Sequence, residues 1–218
     1  LLAGLAVLLL IAGLLYWRYK SVKRSQLEIR ASRDQLAQMH TTLVGNSAEL
    51  ERAALTDPLT GLGNRRALTN TMRLYLSRDG VERRAVGVML LDLDYFKQIN
   101  DLYGHLAGDA VLREVADRLI RAVPEQAVIG RWGGEEFILL FERISLADAQ
   151  VVAERVRAAL ADKPVRFESL TIPISASIGV AINHTLDTHV IDTLLGAADT
   201  ALYHAKHMGR NRVEIAGG

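Results

Sequence analysis

The chain has 218 residues, 50% of them hydrophobic, with 26 Lys and Arg against 25 Asp and Glu and a formal net charge of +1 at pH 7. That near-neutral balance gives no basis for general nucleic-acid binding, and the length suits one ordinary domain with a sizeable core plus extra elements. Cysteine is absent, which excludes disulfide staples, thiolate metal sites and a cysteine nucleophile.

Leu1 to Leu15 is an apolar run, extended by Tyr16 and Trp17 and followed by Arg18, Lys20, Lys23 and Arg24. This order predicts a transmembrane helix over residues 1–17 that leaves the bilayer through an aromatic belt into a basic, cytoplasmic flank. The run is at the short limit of a span, and a start at Leu1 rather than Met leads us to expect more sequence upstream. No basic segment precedes it and no small-residue cleavage site follows, which argues against a signal peptide. Residues 18–55 then read as a helical linker. Val22, Ile29, Leu36, Leu43 and Leu50 recur at seven-residue spacing, whereas the companions Ser25, Ser32, Met39, Asn46 and Ala53 are mostly polar or small. Half of a coiled-coil seam is present, weakened near its end by Gly45 and Asn46. We expect a parallel dimer stalk able to change packing or register, the alternative being a single amphipathic linker helix.

Thr56-Asp57-Pro58 ends that helix and opens a globular domain over residues 56–218. Asn64 is placed to cap a helix with Leu68, Met72, Tyr75 and Leu76 on one side. Ala85 to Leu91 is continuously apolar and reads as a buried central strand that delivers Asp92 and Asp94 at its end. Leu106 to Val123 is an amphipathic helix. Next come two short strands, Ala127 to Trp132 and Phe137 to Phe141, joined through Gly133 and Gly134, which suit a tight hairpin turn requiring positive φ. Ser145 and Asp148 form a capping box for the next helix. Strand material from Val165 to Ile182 is interrupted by Pro173. A last helix, Val190 to Met208, stops at Gly209 and leads into a strand at Arg212 to Ile215. About five strands and four helices in mixed order predict a single sheet with helices on its faces, an α/β (α+β) domain.

Two features of this order carry chemistry. Asp92 closes a buried strand and Glu135 lies just past a neighbouring turn, so two carboxylates converging there could hold a hard cation such as Mg²⁺. The glycines at the hairpin tip also bare the backbone to a bulky anion. Taken alone, a strand-ending aspartate is more often a structural cap, and a Gly-Gly-Glu-Glu more often a turn with solvated charges. No Gly-x-x-x-x-Gly-Lys-Ser/Thr stretch is present, so a P-loop is not supported. Lys206 and Arg210, four apart, are expected on one face of the last helix.

Arg131-Trp-Gly-Gly-Glu-Glu-Phe137 resembles the signature of the GGDEF family, the diguanylate cyclases, in its Gly-Gly-Glu-Glu-Phe form. The resemblance runs from about Asp57 to Ile215. Asp57-Pro-Leu-Thr-Gly-Leu-Gly-Asn-Arg-Arg66 looks like the family's opening motif, and Leu91 to Asp109 like its nucleotide-binding segment. Ser175-Ala-Ser-Ile-Gly-Val-Ala181 and Ala198 to Arg212 resemble its closing motifs.

The resemblance implies a βαββαβ core similar to the palm of nucleotide cyclases and polymerases, with a mixed, largely antiparallel central sheet. It implies a reaction in which two GTP condense to cyclic di-GMP and two pyrophosphates in a homodimer, one GTP per protomer, paired through the GGDEF domains and the stalk. The metal positions fall on Asp92, the Leu93 backbone carbonyl and Glu135, for Mg²⁺ with Mn²⁺ as the alternative, and Asp94 ranks lower. Lys97, Lys206 and Arg210 would contact phosphates, and Phe96 belongs to the same substrate segment. Asn100 and Asp109 would read the guanine edge, the carboxylate accepting from its N1 and amino donors. Gly133, Gly134, Glu135 and Glu136 form the catalytic tip, with Glu136 a second metal contact or an orienting group. The chain departs from the family at one point. Many cyclases carry Arg-x-x-Asp just before the signature as a product-inhibition site, and Pro124-Glu125-Gln126-Ala127 stands here instead. The implied setting is a bacterial inner membrane with the catalytic domain in the cytoplasm, under an upstream sensor. A silent nucleotide- or partner-binding member of the family is the alternative, although no acid or glycine of the signature is missing.

Overall fold

Val86 to Leu93 is buried at all eight positions and takes the centre of the sheet as strand β1. A strand covered on both faces reads as an apolar run rather than an alternation. The structure, a computed structural model, describes residues 10–24, 26, 33–36, 38–40, 53–77, 85–183 and 190–217. The chain divides into two units, Leu1–Arg52 and Ala53–Gly218.

In the second unit a five-stranded sheet has the order β2-β3-β1-β6-β7. Its other strands are β2 (Val128–Gly133), β3 (Glu136–Phe141), β6 (Ala176–Asn183) and β7 (Val213–Ile215). Pairing is antiparallel between β2 and β3, β3 and β1, and β1 and β6, and parallel only between β6 and β7. The mixed, largely antiparallel sheet expected from the sequence is therefore observed. Helices α1 (Arg65–Ser77), α2 (Phe96–Tyr103), α3 (His105–Ala122), α4 (Leu146–Ala161) and α5 (Val190–His207) surround it. Strand alternation sorts the β1 side chains between two layers. Met89, Leu91 and Leu93 join Phe137, Leu139 and the α3 and α4 residues Val115, Leu119, Val156 and Leu160. Val86, Val88 and Leu90 face the other way, with Leu68 and Met72 of α1 and Leu194, Ala198 and Leu202 of α5. Asp92 has the parity of Leu90, so it emerges on the α5 side.

Several boundaries follow from visible caps. Asn64 Oδ1 accepts from Ala67 N at 3.1 Å and opens α1, and Ser145 Oγ accepts from Asp148 N at 3.1 Å and opens α4. Other expectations need correction. Among the described residues of this unit, seven strands and five helices replace five and four, because α2 is a separate helix and because Val165 to Ile182 folds as three strands. The first two, β4 (Val165–Phe167) and β5 (Leu170–Ile172), pair only with each other. Gly104, at φ 85°, separates α2 from α3. β1 also runs two residues further than expected, so Asp92 lies inside the ladder.

In the first unit, the described residues 10–24 are helical, and Val22, Leu36 and Met39 are exposed. Among the described residues no helix is long and apolar enough to cross a membrane. Residues 1–9 of the expected span lie outside the described residues, as do Ile29, Leu43 and Leu50 of the heptad series.

Candidate active site

The site forms where β1 ends against the β2–β3 hairpin. The ladder sets Asp92 opposite Glu136 on one side and opposite Ser177 on the other. Directly opposed residues project to the same face, so Glu136, not Glu135, is the cross-strand neighbour of Asp92. The hairpin is tighter than expected: Gly133 still belongs to β2 and Glu136 already belongs to β3, leaving Gly134-Glu135 as the turn. Only Gly134 of the two glycines has positive φ, 52°. A Cβ added at either Gly133 or Gly134 would meet nothing within 4 Å, so the tip borders open space. The Leu93 N–H points at the Glu135 carbonyl at 3.4 Å, which places the Glu135 backbone beside the end of β1, next to Asp92 and Leu93.

Charge at this point is one-sided. Asp92 is 7% exposed, and the Lys206 ammonium of α5 lies 2.8 Å from its Oδ2. Burial pushes the Asp92 carboxyl above the ordinary aspartate value, with Glu135 and Asp94 adding to the rise and Lys206 opposing it. Burial likewise raises Glu136, helped by Asp92, Glu135 and Asp199 and again opposed by Lys206. Among the described residues no three acidic or histidine side chains are arranged to hold a metal by themselves. The expected set asks for less, two carboxylates and a backbone oxygen. Crowded carboxylates facing a single lysine are a donor set that suits a hard divalent cation.

Asp94, ranked below Asp92 as a ligand, is committed elsewhere. Its Oδ1 accepts from Ser177 Oγ at 2.7 Å, and its Oδ2 accepts from Ser175 Oγ at 2.6 Å and from Asn211 N at 3.0 Å. The residue is 5% exposed and all three donors are neutral. It pins the segment after α5 to the end of β1.

The candidate substrate residues lie on α2, α3 and the end of α5. Phe96 is 8% exposed and belongs to the core, so its ring is not open to a ligand. Lys97 is exposed in the first turn of α2, whose opening N–H groups have no intrahelical acceptor. Asn100 packs against Gly108, where a methyl group would overlap its amide. Gly108 therefore lets the Asn100 side chain lie against the first turns of α3, one residue before Asp109 in the chain. Lys206 and Arg210 do not share a helical face as expected. α5 stops at His207, Gly209 takes φ 117°, Arg210 takes φ 62°, and Arg210 N bonds to Ala205 O at 3.0 Å. Beyond that turn the Arg210 guanidinium stacks 4.5 Å over the Tyr95 ring. Pro124 to Ala127 is a turn closed by Ala127 N to Pro124 O at 3.0 Å.

Sequence reasoning assigned no role to the supports of the hairpin tip. Arg131 Nε donates to Gly134 O at 2.8 Å, and Nη1 lies 3.3 Å from both oxygens of Asp57. Asp57 also accepts from Thr60 N and Oγ1. Burial acts to raise the Asp57 carboxyl, but the Thr60 hydrogen bonds and the Arg131 charge prevail and hold it below the ordinary value. Arg65 stacks 4.5 Å over Trp132. Both Asp57 and Arg131 were visible inside motifs, but no periodicity pairs residues so far apart in the chain.

A family model described as "Diguanylate cyclase, GGDEF domain" matches residues 54–212. Diguanylate cyclase DgcP of Pseudomonas aeruginosa is 40% identical over 163 residues, 75% of this chain and 24% of the relative. Diguanylate cyclase A of Treponema denticola is 34% identical over 187 residues, 84% of this chain and 50% of the relative. This chain thus spans between a quarter and a half of these curated relatives. Among solved structures, the coiled coil and GGDEF domain of DgcB from Caulobacter crescentus, in complex with c-di-GMP, superposes with a TM-score of 0.79 at 30% identity. The match covers 87% of this chain and 99% of that one.

Proposed function

The chain belongs to the GGDEF family of diguanylate cyclases, and on that premise we propose that it condenses two GTP into cyclic di-GMP with release of two pyrophosphates. The observation that carries the reading is the Asp92–Glu136 cross-strand pair with Glu135 at the turn beside it and Lys206 lodged against Asp92. Acids and a cation meet there beside an open glycine tip, as phosphoryl transfer requires.

In this reading each protomer of a two-fold dimer holds one GTP, and the 3′-hydroxyl of each nucleotide attacks the α-phosphorus of the other. The bond to the bridging oxygen breaks and pyrophosphate leaves. Asn100 and Asp109 hold the guanine edge, and a carboxylate covered by the bound base rejects adenine by being left without donors. Lys97, Lys206, Arg210 and the opening N–H groups of α2 hold the phosphates, Phe96 contributing through its backbone. Glu135 takes the hydroxyl proton, and Glu136 orients the site. Asp92, the Leu93 carbonyl and Glu135 would hold a divalent cation, Mg²⁺ or Mn²⁺, which would neutralise triphosphate charge and polarise the α-phosphate. The reading extends to a membrane-anchored dimer, with residues 1–17 in a bacterial inner membrane and residues 18–55 as a stalk relaying an upstream sensor to a cytoplasmic domain at 56–218. Recovery of the chain in the soluble fraction after expression would remove the anchor from it.

The test incubates the chain with GTP and Mg²⁺ at high and low protein concentration and measures cyclic di-GMP and pyrophosphate, with Glu135→Ala as control. Product should rise faster than linearly with protein and disappear in the control. Absence of product even when dimerisation is enforced by a fused strong coiled coil would sink the cyclase reading in favour of a silent nucleotide-binding member.

A further inference from the structure

Arg210 is held from two sides, and both holds come from one dipeptide. Asp94 accepts the Asn211 N–H at 3.0 Å, and its other bonds go to Ser175 and Ser177. That fixes the backbone immediately after Arg210. The next residue, Tyr95, is 53% exposed and carries the Arg210 guanidinium 4.5 Å above its ring, while Arg210 Nη1 donates to its hydroxyl at 3.3 Å. Tyr95, Arg210 and Asn211 all have positive φ, at 58°, 62° and 44°. Non-glycine residues adopt that region rarely, and three of them persist together only where the surrounding structure imposes it. An exposed arginine without such support spreads over many rotamers, and ordering it would weaken any ligand it binds.

We propose that Tyr95 is a positioning residue for Arg210: its ring holds the guanidinium on a turn that Asp94 pins, presented for a nucleotide phosphate. Stacking occupies the face of the guanidinium and leaves most of the donors on its edge for a phosphate. Lys206 reaches into the site from the last turn of α5, whereas Arg210 lies past the helix end and depends on Tyr95 for its direction. The role rests on the nucleotide reading given above.

The test uses the full chain and two probes, guanosine and a GTP analogue with a methylene bridge between its α- and β-phosphorus atoms, which is not turned over. Tyr95→Asn removes the ring with a residue that tolerates the left-handed backbone. It should bind the analogue about fivefold more weakly, the fold-change of an exposed cation–π contact. Tyr95→Phe should stay within about twofold, since the ring supplies most of the contact. Arg210→Lys keeps the charge without the planar stack, so the double variant Tyr95→Asn/Arg210→Lys should bind no more weakly than Arg210→Lys alone. Guanosine binding, which has no phosphate to lose, should be equal in all of them. Strictly additive losses, unchanged or tighter analogue binding by Tyr95→Asn, or a parallel loss of guanosine binding and melting temperature would overturn the positioning role. Failure of the unaltered chain to bind the analogue would overturn the nucleotide reading itself, and the role with it.

Discussion

Gly179 lies in β6 where the strand passes beneath α5, and replacing it with alanine tests how the cationic side of the site is held. A Cβ at Gly179 would fall on the Ala198 carbonyl oxygen and the Leu202 amide nitrogen, and 2.9 Å from Leu202 Cα. All three are helix backbone atoms, so no rotamer change relieves the overlap. The helix must move outward by roughly 1 Å or more to restore contacts of about 3.5 Å. Overpacking of this kind costs about 3 kcal/mol, a large share of the ~5–15 kcal/mol that holds an ordinary domain folded. The same movement carries Lys206 away from Asp92, from which it now stands 2.8 Å. A displacement of about 1 Å at a reacting centre lowers turnover on the order of 100-fold. Urea denaturation followed by circular dichroism gives the stability, and pyrophosphate release at a temperature where the variant is folded gives the turnover. Gly196, on the same helix, is the control, because a Cβ there meets nothing within 4 Å. Gly196→Ala should stabilise by about 0.5–1 kcal/mol and leave turnover unchanged. Gly179→Ala within about 0.5 kcal/mol of the unaltered chain, with normal turnover, would refute the close approach of helix and strand.

The Asp57 carboxylate, held by Thr60 and then by Arg131, predicts a pH signature. Because the folded Asp57 pKa lies below its ordinary value, its stabilising contribution is present at neutral pH and lost as pH falls through that lowered value. The stability gap between the unaltered chain and Asp57→Asn should therefore narrow below about pH 4, and a gap constant from neutral to acid pH would contradict it. Asp109→Ala should lower GTP turnover by about 10- to 100-fold, the loss of a charged hydrogen-bond partner, while the melting temperature holds or rises because alanine favours the helix. Undiminished preference for GTP over ATP in that variant would remove Asp109 from guanine recognition. Cyclic di-GMP added in excess should leave the initial rate unchanged. Saturable inhibition abolished by changing Glu125 or Gln126 would show that this turn binds product after all.

The elements legible in the sequence were those whose signal is local. The apolar run of β1, the stripe of α3, the Asn64 and Ser145 caps and the existence of a hairpin at the glycines each follow from neighbours a few residues away. The register of β1 against β3 was not legible, and it decides which acid faces Asp92. The sequence offers Glu135 and Glu136 on alternate faces, and only the β1–β3 register, in which Leu91 pairs with Phe137, brings Glu136 opposite Asp92. Arg210 failed for a related reason. Helical spacing assumed that α5 continues, whereas Gly209 turns the chain and Tyr95, from a different segment, fixes the guanidinium. α2 escaped notice because eight residues give too little periodicity to separate a helix from a loop. The Asp57–Arg131 tie depends on two segments meeting, which no local pattern records.

The split origin of the site also bears on how the protein is made. Its acids, Asp92, Glu135 and Glu136, belong to the first strand and the hairpin that follows, while Lys206 and Arg210 come from the last helix and the turn beyond it. Synthesis is vectorial, so while Lys206 and Arg210 are still inside the ribosome the acids have no lysine against them and Asp94 has no Asn211 to hold. A growing chain therefore cannot carry a finished site, however well its early strands have paired. The arrangement is complete only with α5 across β6 and the following turn closed on Asp94 and Tyr95.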